Sequence, residues 1–283
     1  MAIKLVVDSA SDINQQEAEQ LGITMIPMNI SFGEGNDYYD GVTLLPEQFY
    51  PLLAVSKENP KTSQITSYRF KEVFSKLTEN DDEVLCIVMS SKLSGTYTSA
   101  VLASTRFDNK VRVIDSLNAS VGEKILCLYA IKLIKQNKSL ADIEEELNKA
   151  KYNVEYLAAV DTLEYLKRGG RVSSTVATIG NLLSIKPIIE VIEGEVIVIG
   201  KAIGSRKVSK LLNSMIKKRG DIDFNKPIIF VYSGLSKDNI NKYIAESKEL
   251  WGMHLNQIDL CILGNTIGTH VGPGAIGITY FKK

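Results

Sequence analysis

The sequence predicts an α/β protein, because short apolar, β-branched runs alternate with helical patterns along its first half. The strands expected there are residues 3–7, 83–90, 111–115 and 154–160. Such alternation is typical of a mostly parallel sheet with helices on its faces. The second half adds an expected hairpin at 188–200 among helices and further strands, which indicates an α+β unit. We therefore predict an α/β domain at 1–160 and an α+β domain at 161–283, with a cleft between them.

Several local patterns refine this outline. A helix is expected at 121–135, and Asp12 with Gln15 resembles a capping box for the first helix. A Ser/Thr-rich, then apolar stretch at 176–189 predicts another helix. The glycine-rich residues 265–277 predict a loop, which places His270 in that loop.

Composition excludes several function classes. Lys+Arg and Asp+Glu both total 33, so the formal charge is zero, which argues against nucleic-acid or anionic-membrane binding. Three cysteines without a CxxC pattern predict no disulfide frame, and with only two histidines we expect no metal site. We expect a cytoplasmic monomer without a signal peptide or a transmembrane segment.

The run from Ser90 to Ser99 holds seven hydroxyl groups in ten residues. It follows an expected strand and precedes an expected helix, the place where α/β proteins bind ligands. Ser94 and Gly95 could hold a carboxylate or phosphate there through the hydroxyl and the helix N–H groups. Alternatively, Ser94 only caps the helix.

Nucleophilic catalysis is the rival interpretation of Ser94. The chain lacks the G-x-S-x-G pattern there, and Ser94 would need His270 as its base. A serine hydrolase or acyltransferase that uses Ser94 and His270 therefore stays open. Gly272, Gly274 and Gly277 match G-x-G-x-x-G, but a strand pattern follows instead of a helix, so we reject a dinucleotide site.

Two further segments carry polar groups that suit an anion. Thr62, Ser63 and Gln64 form a second hydroxyl-rich turn, which could also cap the helix expected near Ser67. Arg168 and Arg171 flank two glycines. They could meet an anion, a partner protein or the end of the preceding helix.

Five stretches together resemble the DegV family. They are VVDSASD near the start, TSQ at 62–64, SSKLSGTY at 90–97, DTLEYLKRGGR at 161–171 and IGTHVGPGAIG at 267–277. Their order and spacing span nearly the whole chain, and the combination is far more specific than any of the motifs alone.

The resemblance implies a two-domain fold with a long-chain fatty acid, such as palmitate, between the domains and no further cofactor. It implies that Thr62 and Ser94, next to Gly95, bind the carboxylate and that His270 belongs to the same network. Arg171 is implied near the head group or on a surface that faces a kinase. Some members are the non-catalytic subunit of a fatty acid kinase, so the resemblance favours lipid transport or fatty acid metabolism without catalysis by this chain.

Overall fold

The computed structural model describes residues 2–172 and 185–283. Within them the strands are β1 (Ile3–Asp8), β2 (Thr24–Ile26), β3 (Asn29–Ser31), β4 (Asp37–Tyr39), β5 (Lys61–Ser63), β6 (Glu83–Val88), β7 (Val111–Asp115), β8 (Val154–Ala159), β9 (Ile185–Ile192), β10 (Glu195–Ile203), β11 (Ile229–Tyr232), β12 (Asp259–Ile262) and β13 (Ile276–Phe281). The helices are α1 (Gln15–Leu21), α2 (Pro46–Val55), α3 (Ser67–Thr78), α4 (Thr96–Ser104), α5 (Val121–Lys135), α6 (Leu140–Ala150), α7 (Glu164–Arg168), α8 (Ser205–Lys218), α9 (Asp238–Glu246), α10 (Lys248–Trp251) and α11 (Asn265–Val271).

A four-stranded parallel sheet in the order β2-β1-β6-β7 forms the first layer. Its central strands, β1 and β6, pair in register from Ile3 opposite Glu83 to Val7 opposite Ile87. They are almost wholly buried because they are covered on both faces, which is why they read as continuous apolar runs. The predicted parallel α/β arrangement is confirmed.

A six-stranded mixed sheet in the order β10-β9-β8-β13-β11-β12 forms the second layer. The predicted hairpin is confirmed as β9 and β10, which turn at Glu193 and Gly194, both with positive φ. Strand β8 was expected in the parallel sheet, but it pairs antiparallel with β9 and β13. The change of sheet thus precedes residue 154, and the division at 160/161 stays a prediction. Of the helix predicted at 176–189, residues 185–189 belong to β9 and the rest lies outside the described residues.

A small antiparallel sheet in the order β4-β3-β5 stands apart from both layers. In it Thr62 pairs with Ile30, so Thr62 lies on a strand. The expectation that residues 62–64 cap α3 is wrong, because the side chain of Thr66 accepts the hydrogen bond from the Arg69 N–H instead.

Helix α5 packs between the two large sheets. It contacts β1 and β6 of the parallel sheet and β8, β11 and β13 of the mixed sheet. Most of its residues are buried, as expected for a helix with apolar residues on more than one side. Its bounds agree with those that the sequence predicts.

The glycine-rich segment that predicted a loop begins as helix α11. Three backbone N–H groups at its start are bound by carboxylates from the first half of the chain. The Gly264 N–H donates to Asp12 at 2.9 Å, and the N–H groups of Asn265 and Thr266 donate to Asp40 at 3.2 Å each. The prediction was wrong because these partners lie more than 220 residues away in sequence.

The same contact explains a second correction. Asp12 was expected to cap α1, but the side chain of Asn14 caps it by accepting the Glu17 N–H at 2.9 Å. Asp12 has left-handed φ of 57°, and this turn directs its carboxylate towards α11.

We predict that Asp40→Asn destabilises the fold. Asp40 is 2% exposed and also accepts a hydrogen bond from Ser9 Oγ at 2.9 Å. An amide would set its NH₂ group against one of these donors, so the free energy of unfolding should fall by about 2 kcal/mol. Chemical denaturation measures it. Asp37→Asn, at an exposed position, is the control and should change it by less than about 0.5 kcal/mol. Equal stabilities would contradict this account.

Candidate functional site

A cavity of about 380 Å³ lies between the two large sheets. This volume falls in the roughly 300–1,000 Å³ range of small-molecule sites. Much of its wall is apolar and includes Met28, Met89, Ala158, Ile189, Val196, Val231, Leu263, Ile267 and Ile276. Only glycine fits at position 277 of the wall, because a Cβ there would come within 2.9 Å of the Tyr156 ring.

All five residues that the family resemblance implies at a ligand site line this cavity. They are Thr62, Ser94, Gly95, Arg171 and His270. They come from four separate segments: β5, the turn before α4, the turn that follows α7 and the last turn of α11. Their part in binding a ligand stays a prediction, but the fold brings them together.

The turn before α4 carries the Ser94 hydroxyl group and packs closely against the TSQ segment. Ser94 Oγ accepts the Thr96 N–H at 3.2 Å and lies 2.9 Å from Thr96 Oγ1. Gly95 is the N-cap residue of α4. A Cβ there would lie 2.0 Å from Gln64 Oε1, so glycine lets the TSQ segment pack directly on this turn. Ser94 therefore fits both interpretations from the sequence, as a helix cap and as part of an anion site. Its hydroxyl accepts an N–H group at the start of α4, and the residue also lines the cavity.

His270 lies against Thr62 rather than against Ser94. His270 Nε2 and Thr62 Oγ1 are 2.9 Å apart, and the buried Nδ1 has no hydrogen-bond partner among residues 2–172 and 185–283. Its ring covers Gly169, where a Cβ would come within 2.1 Å of Nδ1. Burial, and secondarily the charge of Arg171, lower the His270 pKa from 6.5 to about 4. The imidazole is therefore neutral at pH 7.

This geometry does not favour a catalytic serine. Within the described part of the chain, no hydrogen bond joins Ser94 to His270, and no carboxylate orients the imidazole. A serine nucleophile needs a base within hydrogen-bond reach, and that base needs a third group to hold it.

Arg171 and Arg168 bind different partners. Arg171 Nε donates to the Leu93 carbonyl oxygen at 3.1 Å, next to Ser94, and another of its N–H groups donates to the Gly169 oxygen. Arg168 instead binds Asn59 Oδ1 at 2.9 Å and forms an ion pair with Glu164. Both arginines and Lys61 line a surface cleft of about 490 Å³, which shares Thr62, Arg171 and His270 with the cavity. The polar end of the cavity thus adjoins a cleft that carries basic side chains.

The sequence analysis did not identify a second set of polar residues in the cavity wall, Tyr156 and Ser120. The Tyr156 hydroxyl donates to Ser120 Oγ at 3.1 Å, and the Ser120 hydroxyl donates to Asp12. Ser120, immediately before α5, has φ 59° and ψ −142°, a conformation that favours glycine and costs other residues about 1–3 kcal/mol. The three residues are too far apart in sequence for a local pattern to reveal them.

Other features of the structure bear on the remaining expectations. His254 stacks on Phe224 with ring centroids 3.7 Å apart, as a packing residue would. Among residues 2–172 and 185–283, no group of three or more His, Cys, Asp and Glu is placed to hold a metal ion. None of the helices in these ranges is long and apolar enough to span a membrane.

We predict that His270 makes stability depend on pH. Because its pKa is lowered in the folded state, the unfolded chain binds the extra proton first as the pH falls from about 6.5 towards 4. Between pH 7 and pH 5 the wild type should therefore lose about 2 kcal/mol of unfolding free energy more than His270→Gln. Denaturation at both pH values measures the difference. The same loss in both proteins would mean that His270 is not desolvated.

Comparisons with known proteins agree with this architecture. The family model described as "Uncharacterised protein, DegV family" matches residues 2–283. A DegV domain-containing protein of Caldanaerobacter subterraneus is 34% identical over 282 residues, 99% of each chain. Two solved structures each cover 100% of both chains. A DegV family protein from Thermus thermophilus, described by its fatty acid binding, has a TM-score of 0.88 at 31% identity. DegV from Bacillus subtilis, described as a fatty acid binding protein, has 0.80 at 30%. The chain belongs to the DegV family.

Proposed function

We propose that this protein binds a long-chain fatty acid, with the carboxylate at the polar end of the cavity and the tail along its apolar wall. The observation that carries the proposal is the lining of the cavity, because the hydroxyl groups of Thr62 and Ser94 lie together with His270 in a wall that is otherwise largely aliphatic. The two solved relatives described as fatty acid binding, at 31% and 30% identity, support it.

The polar end suits a carboxylate. Ser94 and Thr62 supply hydroxyl groups, and the start of α4 adds partial positive charge. A neutral His270 can donate from one ring nitrogen, and Arg171 adds positive charge nearby. Because hydrogen bonds to a charged group are stronger than neutral ones, a few such donors compensate for taking the carboxylate out of water.

The tail would supply most of the affinity. Each buried CH₂ group contributes about 0.8 kcal/mol, so a long acyl chain binds tightly without any reaction. Together with the separation of Ser94 from His270, this favours a carrier over a hydrolase.

The adjoining cleft supports a finer proposal. The bound carboxylate would lie near Lys61, Arg168 and Arg171, where a separate kinase could reach it and transfer a phosphoryl group. This chain would then act in fatty acid transport or metabolism as a non-catalytic subunit without a further cofactor. The exposed Ile203 at the end of β10 stands where similar chains frequently have an arginine, which counts against a kinase partner. The basic side chains of Arg206 and Lys207 remain nearby. The protein would act as a monomer in the cytoplasm. The reducing conditions of that compartment fit the free cysteines Cys86, Cys127 and Cys261.

We predict that the purified protein retains intact fatty acid. Lipid extraction and mass spectrometry should recover close to one long-chain fatty acid per protein. Purified protein that is empty and hydrolyses acyl esters would contradict the proposal and favour the hydrolase.

A second prediction concerns the head group. The double variant Thr62→Ala, Ser94→Ala should bind fatty acid more than tenfold more weakly, because each lost hydrogen bond to the carboxylate contributes about 1.5–3 kcal/mol. Displacement of a fluorescent fatty acid from delipidated protein measures the affinity.

Ser91→Ala is the matched control for this prediction. Ser91 is exposed in the same serine-rich turn and lies outside the described cavity lining. Its variant should bind like the wild type. Unchanged affinity in the double variant would place the head group elsewhere.

A further inference from the structure

We propose that the cavity selects acyl chains that carry a hydroxyl group. The inference rests on the proposed fatty-acid function and names a class of ligand for the same cavity. It comes from the buried hydrogen-bond chain of Tyr156, Ser120 and Asp12, which we call the wall relay.

The wall relay is buried and reaches the cavity surface. Tyr156 is 8% exposed and Ser120 is 1% exposed, and both line the cavity. The Tyr156 hydroxyl donates to Ser120, and Ser120 donates to one oxygen of Asp12. The other Asp12 oxygen accepts the Gly264 N–H at 2.9 Å. Every proton of these two hydroxyl groups is therefore directed along the relay towards Asp12.

This direction decides what the relay can offer a ligand. A hydroxyl group has one proton and two lone pairs, so Tyr156 and Ser120 retain free lone pairs but no free proton. A ligand hydroxyl can donate to such an oxygen. A ketone on the ligand brings only another acceptor, and a plain alkyl chain leaves the buried lone pairs unpaired.

The charge of Asp12 fixes the direction. An ionised carboxylate can only accept, so Ser120 must donate to it. The pKa of Asp12 is raised to about 7, mainly because the carboxyl is buried; the hydrogen bonds from Ser120 and Gly264 oppose the rise, Asp40 adds to it and Lys124 opposes it. Well above neutral pH the relay therefore runs from Tyr156 to Asp12.

The backbone at Ser120 supports a role for the side chain. Its φ of 59° and ψ of −142° would be adopted more easily by glycine. Serine at this position keeps a hydroxyl in the cavity wall in spite of the strain.

The relay lies in the part of the cavity lining that the surface cleft does not share. Thr62, Arg171 and His270 line both the cavity and the surface cleft, whereas the described lining of the cleft includes neither Ser120 nor Tyr156. A ligand hydroxyl at the relay would therefore be a substituent along the acyl chain, separate from the carboxylate.

Binding of matched ligands tests the proposal. Delipidated protein at about pH 8.5, above the Asp12 pKa, is titrated with octadecanoic acid, with its monohydroxy isomers and with the corresponding oxo acids, by displacement of a fluorescent fatty acid. At one or more positions the hydroxy acid should bind roughly fivefold more tightly than the oxo acid with oxygen on the same carbon. Hydroxy acids that bind no better than their oxo partners at every position would overturn the proposal.

The double variant Tyr156→Phe, Ser120→Gly locates the effect. It removes both hydroxyl groups of the relay that line the cavity and keeps the aromatic ring, so the ratio of hydroxy to oxo affinity should fall to about one. Tyr129→Phe is the control, because Tyr129 is also buried but binds Glu146 outside the described cavity lining. Its ratio should match the wild type. A hydroxy preference that survives in the double variant would overturn the assignment, and the wild-type series decides the matter if that variant does not fold.

The two proposals fail in different ways. If octadecanoic acid itself does not bind, the proposed function fails. If octadecanoic acid binds while the hydroxy and oxo acids are indistinguishable, only the hydroxyl selectivity fails.

Discussion

The site depends on how helix α11 is held at its start. A helix of seven residues is too short to be stable alone. Asp12 and Asp40 bind its first N–H groups, and Gly268 allows it to lie against Phe49 and Tyr50, where a Cβ would come within 2.8 Å of the Phe49 ring. This helix supplies part of the cavity wall and sets His270 beside Thr62. The shape of the cavity and the partner of its imidazole thus both follow from carboxylates in the first 40 residues.

Local sequence patterns predicted the elements that local physics decides. Strand β7 and helix α5 have the predicted bounds, because apolar periodicity and β-branched content suffice for them. Helix α11 was missed because its glycines indicate a loop, and only distant carboxylates and close packing reverse that preference. Strand β8 was correct as a strand, but its sheet was not, because pairing with β9 and β13 leaves no trace in its own residues.

The residues of the candidate site also differ in whether the sequence predicted them. Family-like motifs placed Thr62, Ser94, Gly95, Arg171 and His270 together, and the fold gathers them at one cavity. The wall relay escaped notice because Tyr156 and Ser120 match no motif, and Asp12, the last residue of VVDSASD, was interpreted as a helix cap. It forms only in the folded chain, where Ser120 before α5 and Tyr156 on β8 come within hydrogen-bond distance. A chain of polar groups assembled from distant segments is thus harder to predict than the residues of a single motif.

Helix α5 lies between the two large sheets and therefore restricts how the molecule can open to solvent. One helix forms part of the core of both large sheets, so neither sheet can lose its packing without exposing the apolar surface of that helix. Its amide protons should then exchange with solvent only through global unfolding, and they would be among the slowest in the chain. Any opening of the cavity would therefore involve the segments around α5 rather than α5 itself.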